Sequence, residues 1–228
     1  MSVPDIVLFD LDGTLIDSVP DLATALNRMM ADLGRDPVEE EAIRNWVGNG
    51  SRILVHRTLS GSLDGRVEDD LAASAYTRFQ DHYADCCLDR TRIFDQAEQL
   101  IACLRDHGIR TGIVTNKPER HAVRLMDAWS DRLPMDVVLG EIEGRPRKPD
   151  PAMLQEAMRQ CDATTAWMVG DSDVDGHAAR AAGAVFIGVR LGYNHGRDIA
   201  AMDPPPDQVF DDLGGLLDWI RPMIAASA

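Results

Sequence analysis

The sequence predicts an α/β fold, a Rossmann-like parallel sheet core with an inserted helical cap domain. Short apolar runs typical of buried strands recur along most of the chain and alternate with amphipathic helical patterns, at the spacing of βαβ units. One stretch, residues 18–90, breaks this alternation because it has helical periodicity without a strand pattern. We therefore predict a core formed by residues 1–17 and 91–228, and a helical cap domain formed by residues 18–90.

The predicted strands are short apolar runs, and the first of them, residues 5–10, ends in carboxylates. The other strand patterns lie at residues 109–115, 136–139, 166–170 and 184–189. The helical patterns of the core lie at residues 95–107, 118–130, 151–161, 173–182 and 212–221. Open parallel sheets bind their ligands at the carboxyl ends of the strands, so reactive residues are expected to collect there.

The composition limits the possible partners. The 228 residues carry a formal net charge of −15 and contain no long basic run, which argues against nucleic acid or an anionic membrane as a partner. No stretch is apolar enough to span a bilayer, and the start of the chain lacks a signal-peptide pattern. The four cysteines show no metal-ligand spacing, so reduced thiols in a cytoplasmic protein are expected. A monomer and a homodimer both remain open.

Lysine is rare in this chain. Of the 23 basic side chains, only Lys117 and Lys148 are lysines. Arginine is used everywhere else, which indicates that lysine is kept where a compact point charge is needed. An anionic substrate must be attracted locally, by a cation, a lysine or backbone N–H groups, because the net charge of the protein repels it.

Two aspartates end the first predicted strand. Asp10 and Asp12 lie two residues apart, so their side chains point the same way, and Gly13 permits a sharp turn out of the strand. Carboxylates this close repel each other unless a cation or a shared proton relieves them. Ligation by oxygen alone suits Mg²⁺, which leaves room for a phosphate oxygen. A solvated turn would explain one aspartate but not the whole hexapeptide.

Polar residues also follow the other strands. Thr115 and Asn116 end the second strand and can donate hydrogen bonds to phosphoryl oxygens, although a helix-capping threonine explains the pattern about as well. Lys148 follows the third strand and can balance the negative charge of a nucleophile and a phosphate. Asp171 ends the fourth strand, and Asp175 lies one helical turn further on. Together these strand-end residues indicate an active site.

These elements resemble the signature of the haloacid dehalogenase superfamily, in which D-x-D-G-T-L is followed by a strand-end Thr or Ser, a Lys and G-D-x-x-x-D. The resemblance implies that Asp10 is the nucleophile, that Asp12 is the acid/base and that Mg²⁺ is the cofactor. It further implies that Asp10, Asp171 and the main-chain carbonyl of Asp12 bind the metal, with Asp175 in support. The residues implied to bind phosphate are Thr115, Asn116 and Lys148.

Branches of the superfamily differ at positions that this sequence contains. Asp12 argues for phosphoryl chemistry, because the dehalogenases of the superfamily lack this second aspartate. Members that cleave phosphonates, and the sugar-phosphate mutases, place a lysine in the cap. The predicted cap here has no lysine, which argues against both.

Three further stretches, residues 46–50, 114–118 and 192–196, resemble bacterial phosphoglycolate phosphatases. The implied function is Mg²⁺-dependent hydrolysis of a small anionic phosphomonoester, 2-phosphoglycolate, to glycolate through a phospho-aspartate intermediate. The alternatives are a phosphatase of a sugar phosphate, an amino-sugar phosphate or pyrophosphate, and a non-catalytic regulator on the same fold. Residues 92–95 and 141–143 depart from the family pattern, at the return from the cap and in the outer metal shell.

One loop of the predicted cap is a candidate for substrate recognition. Gly48, Asn49 and Gly50 lead into a helix N-terminus, which is a natural anion site. Together with Arg57, this loop is expected to receive the carboxylate of a small substrate. The alternative is a plain helix–loop–helix turn with Arg57 on the surface.

Overall fold

A computed structural model describes residues 2–226 of the chain. The strands of this part are, in chain order, β1 (Ile6–Phe9), β2 (Ile16–Asp17), β3 (Arg92–Ile93), β4 (Arg110–Pro118), β5 (Val137–Glu141), β6 (Ala166–Gly170), β7 (Val185–Val189) and β8 (Gln208–Phe210). Six of them form a parallel sheet in the order β5-β4-β1-β6-β7-β8. The chain first extends this sheet on one side of β1 and then on the other, so the switch point of the topology lies beside β1.

The helices of the described residues are α1 (Val19–Asp32), α2 (Glu40–Arg44), α3 (Ser51–Ser60), α4 (Asp69–Cys86), α5 (Ala97–Asp106), α6 (Glu119–Ala128), α7 (Ala152–Gln160), α8 (Asp173–Ala182) and α9 (Leu213–Ala225). Of these, α5 to α9 cover the two faces of the sheet. Val7 and Phe9 of β1 pack in the cluster that contains α5, α6 and α9, whereas Ile6 and Leu8 pack in the cluster that contains α7 and α8. Both faces of β1 are therefore buried, which explains why its sequence is apolar throughout.

The four helices α1 to α4, here called the helical insertion, have a hydrophobic cluster of their own. This cluster includes Leu26, Met29 and Phe79, and only Tyr193 joins it from the sheet side. The chain enters and leaves the insertion through β2 and β3, which pair antiparallel with Ile16 opposite Ile93. The predicted domain boundaries lie beside this pair, and they remain a prediction.

A buried carboxylate ties the two connections together. Asp21, in the first turn of α1, is fully buried. It accepts hydrogen bonds from the backbone N–H groups of Arg90 and Thr91 and from the Thr91 hydroxyl, at 2.7 to 3.0 Å. The start of the insertion is thus fixed to the segment that leaves it.

The predicted α/β fold is confirmed, and each predicted strand and helix of the core is present within a few residues of its expected bounds. The strands β2, β3 and β8 were not predicted, because two or three residues are too few to show an alternating pattern. Among the described residues, no helix combines the length and the apolar character that crossing a membrane requires.

Candidate active site

The carboxyl ends of β1, β4 and β6 meet at one edge of the sheet. Phe9, the last residue of β1, is aligned with Ile113 of β4 and Val169 of β6. Asp10 and Asp171, which follow β1 and β6 directly, therefore lie side by side. This parallel register explains how residues 161 positions apart in the sequence come to share one site.

Gly13 is required for more than the turn out of the first strand. Its φ is +91°, a conformation that residues with a side chain rarely adopt. A Cβ atom at this position would also lie 2.7 Å from Oδ2 of Asp171. The glycine thus allows the loop after β1 to pass directly against the carboxylate that follows β6.

Lys148 lies at the centre of the site. Its side chain is 2% exposed, and its ammonium donates to Asp10 Oδ1 at 2.8 Å, to Asp175 Oδ1 at 2.6 Å and to the Val114 carbonyl at 2.7 Å. These three acceptors use all three N–H groups of the ammonium. Burial alone would lower the pKa of Lys148, but the carboxylates of Asp10 and Asp175 outweigh it and raise the pKa above its ordinary value. Lys148 therefore stays charged and fixed.

The carboxylates that follow β6 are held by short hydrogen bonds. Asp171 accepts from the Thr14 hydroxyl at 2.8 Å and from the backbone N–H of Tyr193 at 2.7 Å. Asp175 accepts at its second oxygen from the backbone and the hydroxyl of Ser172, at 3.1 and 2.7 Å. Both oxygens of Asp175 are thus engaged, since the first one binds Lys148. The orientation of these two aspartates is fixed without any bound ion.

Asp10, Asp171 and Asp175 each offer an oxygen within 4.8 Å of the others. Burial raises the pKa of Asp10 to about 6, Lys148 opposes this increase, and the charges of Asp175 and Asp12 add to it. Burial, together with the charges of Asp10 and Asp175, raises the pKa of Asp171 well above its usual range. Because the donors are oxygen atoms only and their negative charge is under-compensated, the set fits a divalent cation such as Mg²⁺.

Asp12 lies outside this carboxylate cluster and has a lysine of its own. Its two oxygens accept from the Lys117 ammonium at 2.9 and 3.1 Å, and Oδ1 also accepts from the Ser18 hydroxyl at 2.5 Å. The side chain of Lys117 is 3% exposed. Lys117 was not predicted as a site residue, although the scarcity of lysine in the sequence was a signal for it. The two lysines of the chain thus neutralise the two aspartates of the first motif, one each.

Thr115 and Asn116 occupy an irregular part of β4, where the pairing with β5 shifts register after Val114. The buried Thr115 hydroxyl accepts from the backbone N–H of Lys117 at 3.2 Å. The Asn116 amide donates to the Lys148 carbonyl at 3.0 Å, and its buried Oδ1 has no hydrogen-bond partner among the described residues. Asn116 therefore positions the backbone of Lys148, and its Oδ1 remains available as a hydrogen-bond acceptor among the described residues.

A small cavity lies between this edge of the sheet and the helical insertion. The space open to water molecules is about 40 Å³, which holds only a few of them. Both predicted catalytic aspartates line it, and Gly48 and Gly50 of the predicted recognition loop lie on the opposite side. The lining also includes Gln80, Tyr83, Thr115, Lys117 and His121.

Comparisons with known proteins agree with this geometry. A model of the haloacid dehalogenase-like hydrolases matches residues 4–183, which include every residue of the strand-end site. The chain is a haloacid dehalogenase-like hydrolase. The predicted family and enzyme class, a phosphoric monoester hydrolase, are confirmed.

Curated relatives of this hydrolase carry a common name. A phosphoglycolate phosphatase of Pseudomonas putida is 43% identical over 219 residues, which is 95% of this chain and 79% of that protein. Phosphoglycolate phosphatase 1 of Pseudomonas aeruginosa is 40% identical, over 94% of this chain and 79% of that protein. A crystal structure described as a predicted phosphoglycolate phosphatase of Haemophilus somnus has a TM-score of 0.86 at 28% identity, and covers 96% of this chain and 99% of its own.

The structure of the hydrolase corrects the expectation for Arg57 and Asn49, because neither lines the cavity. The Arg57 guanidinium is buried and donates to the carbonyls of Trp46 and Leu63, at 2.5 and 2.7 Å, and to Asn49 Oδ1 at 2.9 Å. Asn49 Oδ1 also contacts His195 Nε2 at 2.9 Å. Arg57 is thus not a surface residue, and two loop carbonyls and the Asn49 side chain engage three of its five N–H donors.

The wall of the cavity that Gln80 and His121 form was not predicted. His121 of α6 lies within 2.6 Å of Gln80 Oε1, which also accepts from the Arg120 guanidinium at 2.8 Å. Since that oxygen can only accept, Nε2 of His121 carries its proton. Burial lowers the pKa of His121 to about 3, and the positive charges of Lys117, Arg120 and Arg124 contribute. This wall is therefore locally cationic in a protein whose net charge is −15.

The buried His121 predicts a pH dependence of stability. The pKa of His121 is about 3 in the folded protein, which is below its value in the unfolded chain. Below about pH 6.5 the unfolded chain therefore binds a proton at this histidine, whereas the folded protein does not. Stability is full above that pH and falls, by up to about 1.4 kcal/mol per pH unit, as the pH is lowered toward 4. Urea unfolding of the wild type and of His121→Asn between pH 7 and pH 4.5 measures this slope. We expect a shallower slope in the variant; parallel curves would contradict the assignment.

Proposed function

We propose that this hydrolase is an Mg²⁺-dependent phosphatase that converts 2-phosphoglycolate to glycolate and phosphate through a phospho-aspartate on Asp10. The observation that carries the proposal is the arrangement of Asp10. Its carboxylate borders the cavity, and the buried ammonium of Lys148 holds one of its oxygens at 2.8 Å. The other oxygen is left to attack a phosphorus atom. The names of the relatives support the choice of substrate.

The chain's own residues divide the reaction between them. Asp10 attacks phosphorus, so that an Asp10 O–P bond forms as the P–O bond to glycolate breaks. Asp12 gives a proton to the departing alkoxide and then takes one from the water that hydrolyses the aspartyl phosphate. Ser18 and Lys117 hold the Asp12 side chain in position for both steps. Lys148 supplies fixed positive charge beside the phosphoryl oxygens.

The metal would be held by the side chains of Asp10 and Asp171 and by the main-chain carbonyl of Asp12, with Asp175 in support. When bound there, Mg²⁺ would supply positive charge that neutralises the phosphoryl oxygens. In this cluster three carboxylates, two of them buried, face the single ammonium of Lys148. This shortage of positive charge supports the proposed need for a divalent cation.

The charge of the cavity supports a small substrate with a second negative group. Lys117 and the cations near His121 lie on the side where a leaving group would extend, and they favour a carboxylate there. Because Arg57 does not line the cavity, recognition of this carboxylate is assigned to that wall and to the backbone near Gly50.

Phosphate release from a panel of substrates tests the proposal. The panel contains 2-phosphoglycolate, ethyl phosphate, a hexose phosphate, an amino-sugar phosphate and pyrophosphate, each assayed in Mg²⁺ and in EDTA. We expect activity that EDTA removes and Mg²⁺ restores, with a preference in kcat/KM of at least about tenfold for 2-phosphoglycolate. Activity on other esters only would reject the substrate and keep the chemistry. Equal rates in EDTA would reject the metal.

A further inference from the structure

Tyr83 of α4 has a hydroxyl group without a hydrogen-bond partner among the described residues. The residue is 1% exposed and lines the same cavity as Asp12 and Asn116. Buried tyrosine hydroxyls normally find a partner, and one left unpaired destabilises the folded protein. This unpaired hydroxyl lies at the wall of a substrate cavity. Its position indicates that a bound substrate supplies the hydrogen-bond partner.

The ring of Tyr83 cannot turn to find a partner elsewhere. It stacks on Phe79 with a centroid distance of 5.7 Å, and the ring of His121 meets it edge-on at 5.1 Å. The Lys117 ammonium lies 4.6 Å from the ring centroid. These three contacts fix where the hydroxyl points and place a positive charge beside the ring.

We propose that the Tyr83 hydroxyl donates a hydrogen bond to the carboxylate of the substrate, next to the charge of Lys117, and so determines specificity for carboxylated phosphoesters. This inference rests on the proposed function, because it assigns the recognition of that same substrate. A phenol O–H needs an acceptor, and the phosphoryl end of the substrate is directed to Asp10 and Lys148. Tyr83 comes from the insertion and Lys117 from the sheet, so both parts of the fold would contact the carboxylate.

The variant Tyr83→Phe tests the proposal with two measurements. The first is the ratio of kcat/KM for 2-phosphoglycolate to that for ethyl phosphate, which lacks the carboxylate. We expect this ratio to fall by about 10- to 100-fold, as is typical of losing a hydrogen bond to a charged group. The second is the Tm of the free protein, which is expected to rise by about 2–4 °C because the variant removes an unpaired buried hydroxyl.

Tyr76→Phe is the matched control. Tyr76 lies on the same helix, but its hydroxyl already pairs with the Ser51 hydroxyl at 3.4 Å and it does not line the cavity. In this control the substrate ratio should stay at the wild-type value. The control shows whether any tyrosine hydroxyl of α4 affects the ratio.

Each outcome for Tyr83→Phe decides the question. A lower ratio with an unchanged or higher Tm supports the proposal. An unchanged ratio, an equal loss on both substrates, or a lower Tm overturns it, because the hydroxyl would then be a bystander or part of the packing. If the wild type itself does not prefer 2-phosphoglycolate to ethyl phosphate, the proposed substrate has failed, and this result is separate from the behaviour of the variant.

Discussion

Replacing Asp10 with Asn is expected to lower phosphate release from 2-phosphoglycolate by about 10⁴-fold or more, since the proposed nucleophile is lost. The amide has nearly the same shape as the carboxylate and keeps an oxygen that can accept from Lys148. In the wild type the Lys148 ammonium lies 2.8 Å from Asp10 Oδ1. The substitution also removes the charge of one of the three clustered carboxylates. The metal-free variant should therefore fold, with a Tm no lower than that of the wild type. Initial rates in saturating Mg²⁺, together with a thermal melt, measure both effects.

Asp173→Asn is the matched control for this variant. Asp173 begins α8 at the same edge of the sheet, but it pairs with Arg197 at 2.8 Å and is not part of the carboxylate cluster. Its replacement should leave the rate near the wild-type value. Substantial activity of Asp10→Asn, in a preparation free of contaminating phosphatases, would rule out the phospho-aspartate mechanism.

Lys148→Met is expected to damage both stability and activity. The substitution leaves Asp10 and Asp175 buried without the cation that pairs with them, at 2.8 and 2.6 Å. Removing one partner from a buried ion pair typically costs about 3–5 kcal/mol in the free energy of unfolding. Turnover should fall as well, because the fixed charge beside the phosphoryl group is gone. Urea unfolding and phosphate release measure the two effects.

The companion variant Arg159→Met removes a cation from an exposed pair. Arg159 lies on the surface of α7 and contacts Glu156 one turn earlier. Exposed pairs contribute little, so stability and activity should both stay near the wild-type values. If Lys148→Met were as stable as Arg159→Met, the buried ion pairs would not hold the site together as argued.

The residues predicted from the sequence are those whose position depends on strand ends. Asp10 and Asp171 directly follow neighbouring strands of a parallel sheet, and the register of such a sheet brings strand ends together whatever the loops do. A short motif at the end of an apolar run is therefore enough to locate them. The same reasoning gave the alternation of strands and helices in the core, because both faces of the sheet are covered.

The residues that were missed depend on how the insertion packs against the sheet. Tyr83 and Gln80 lie on a helix whose periodicity predicts burial but not which neighbour it meets. His121 belongs to no motif in the sequence, and only the packing of α4 against α6 brings it to the cavity. For Arg57 the expectation was wrong for a related reason: a guanidinium has five donors, and the carbonyls of nearby loops compete with a ligand for them. Sequence spacing does not reveal that competition.

The position of the two lysines gives the protein a built-in chemical reporter. Both ε-amino groups lie in the active site, with side chains 3% and 2% exposed, and the sequence has no other lysine. Reagents that acylate lysine therefore find no lysine side chain on the outer surface. The rate at which a small acylating reagent modifies Lys117 or Lys148, read by mass spectrometry, measures how often the cavity opens to solvent. No introduced label is needed to measure this opening of the cavity.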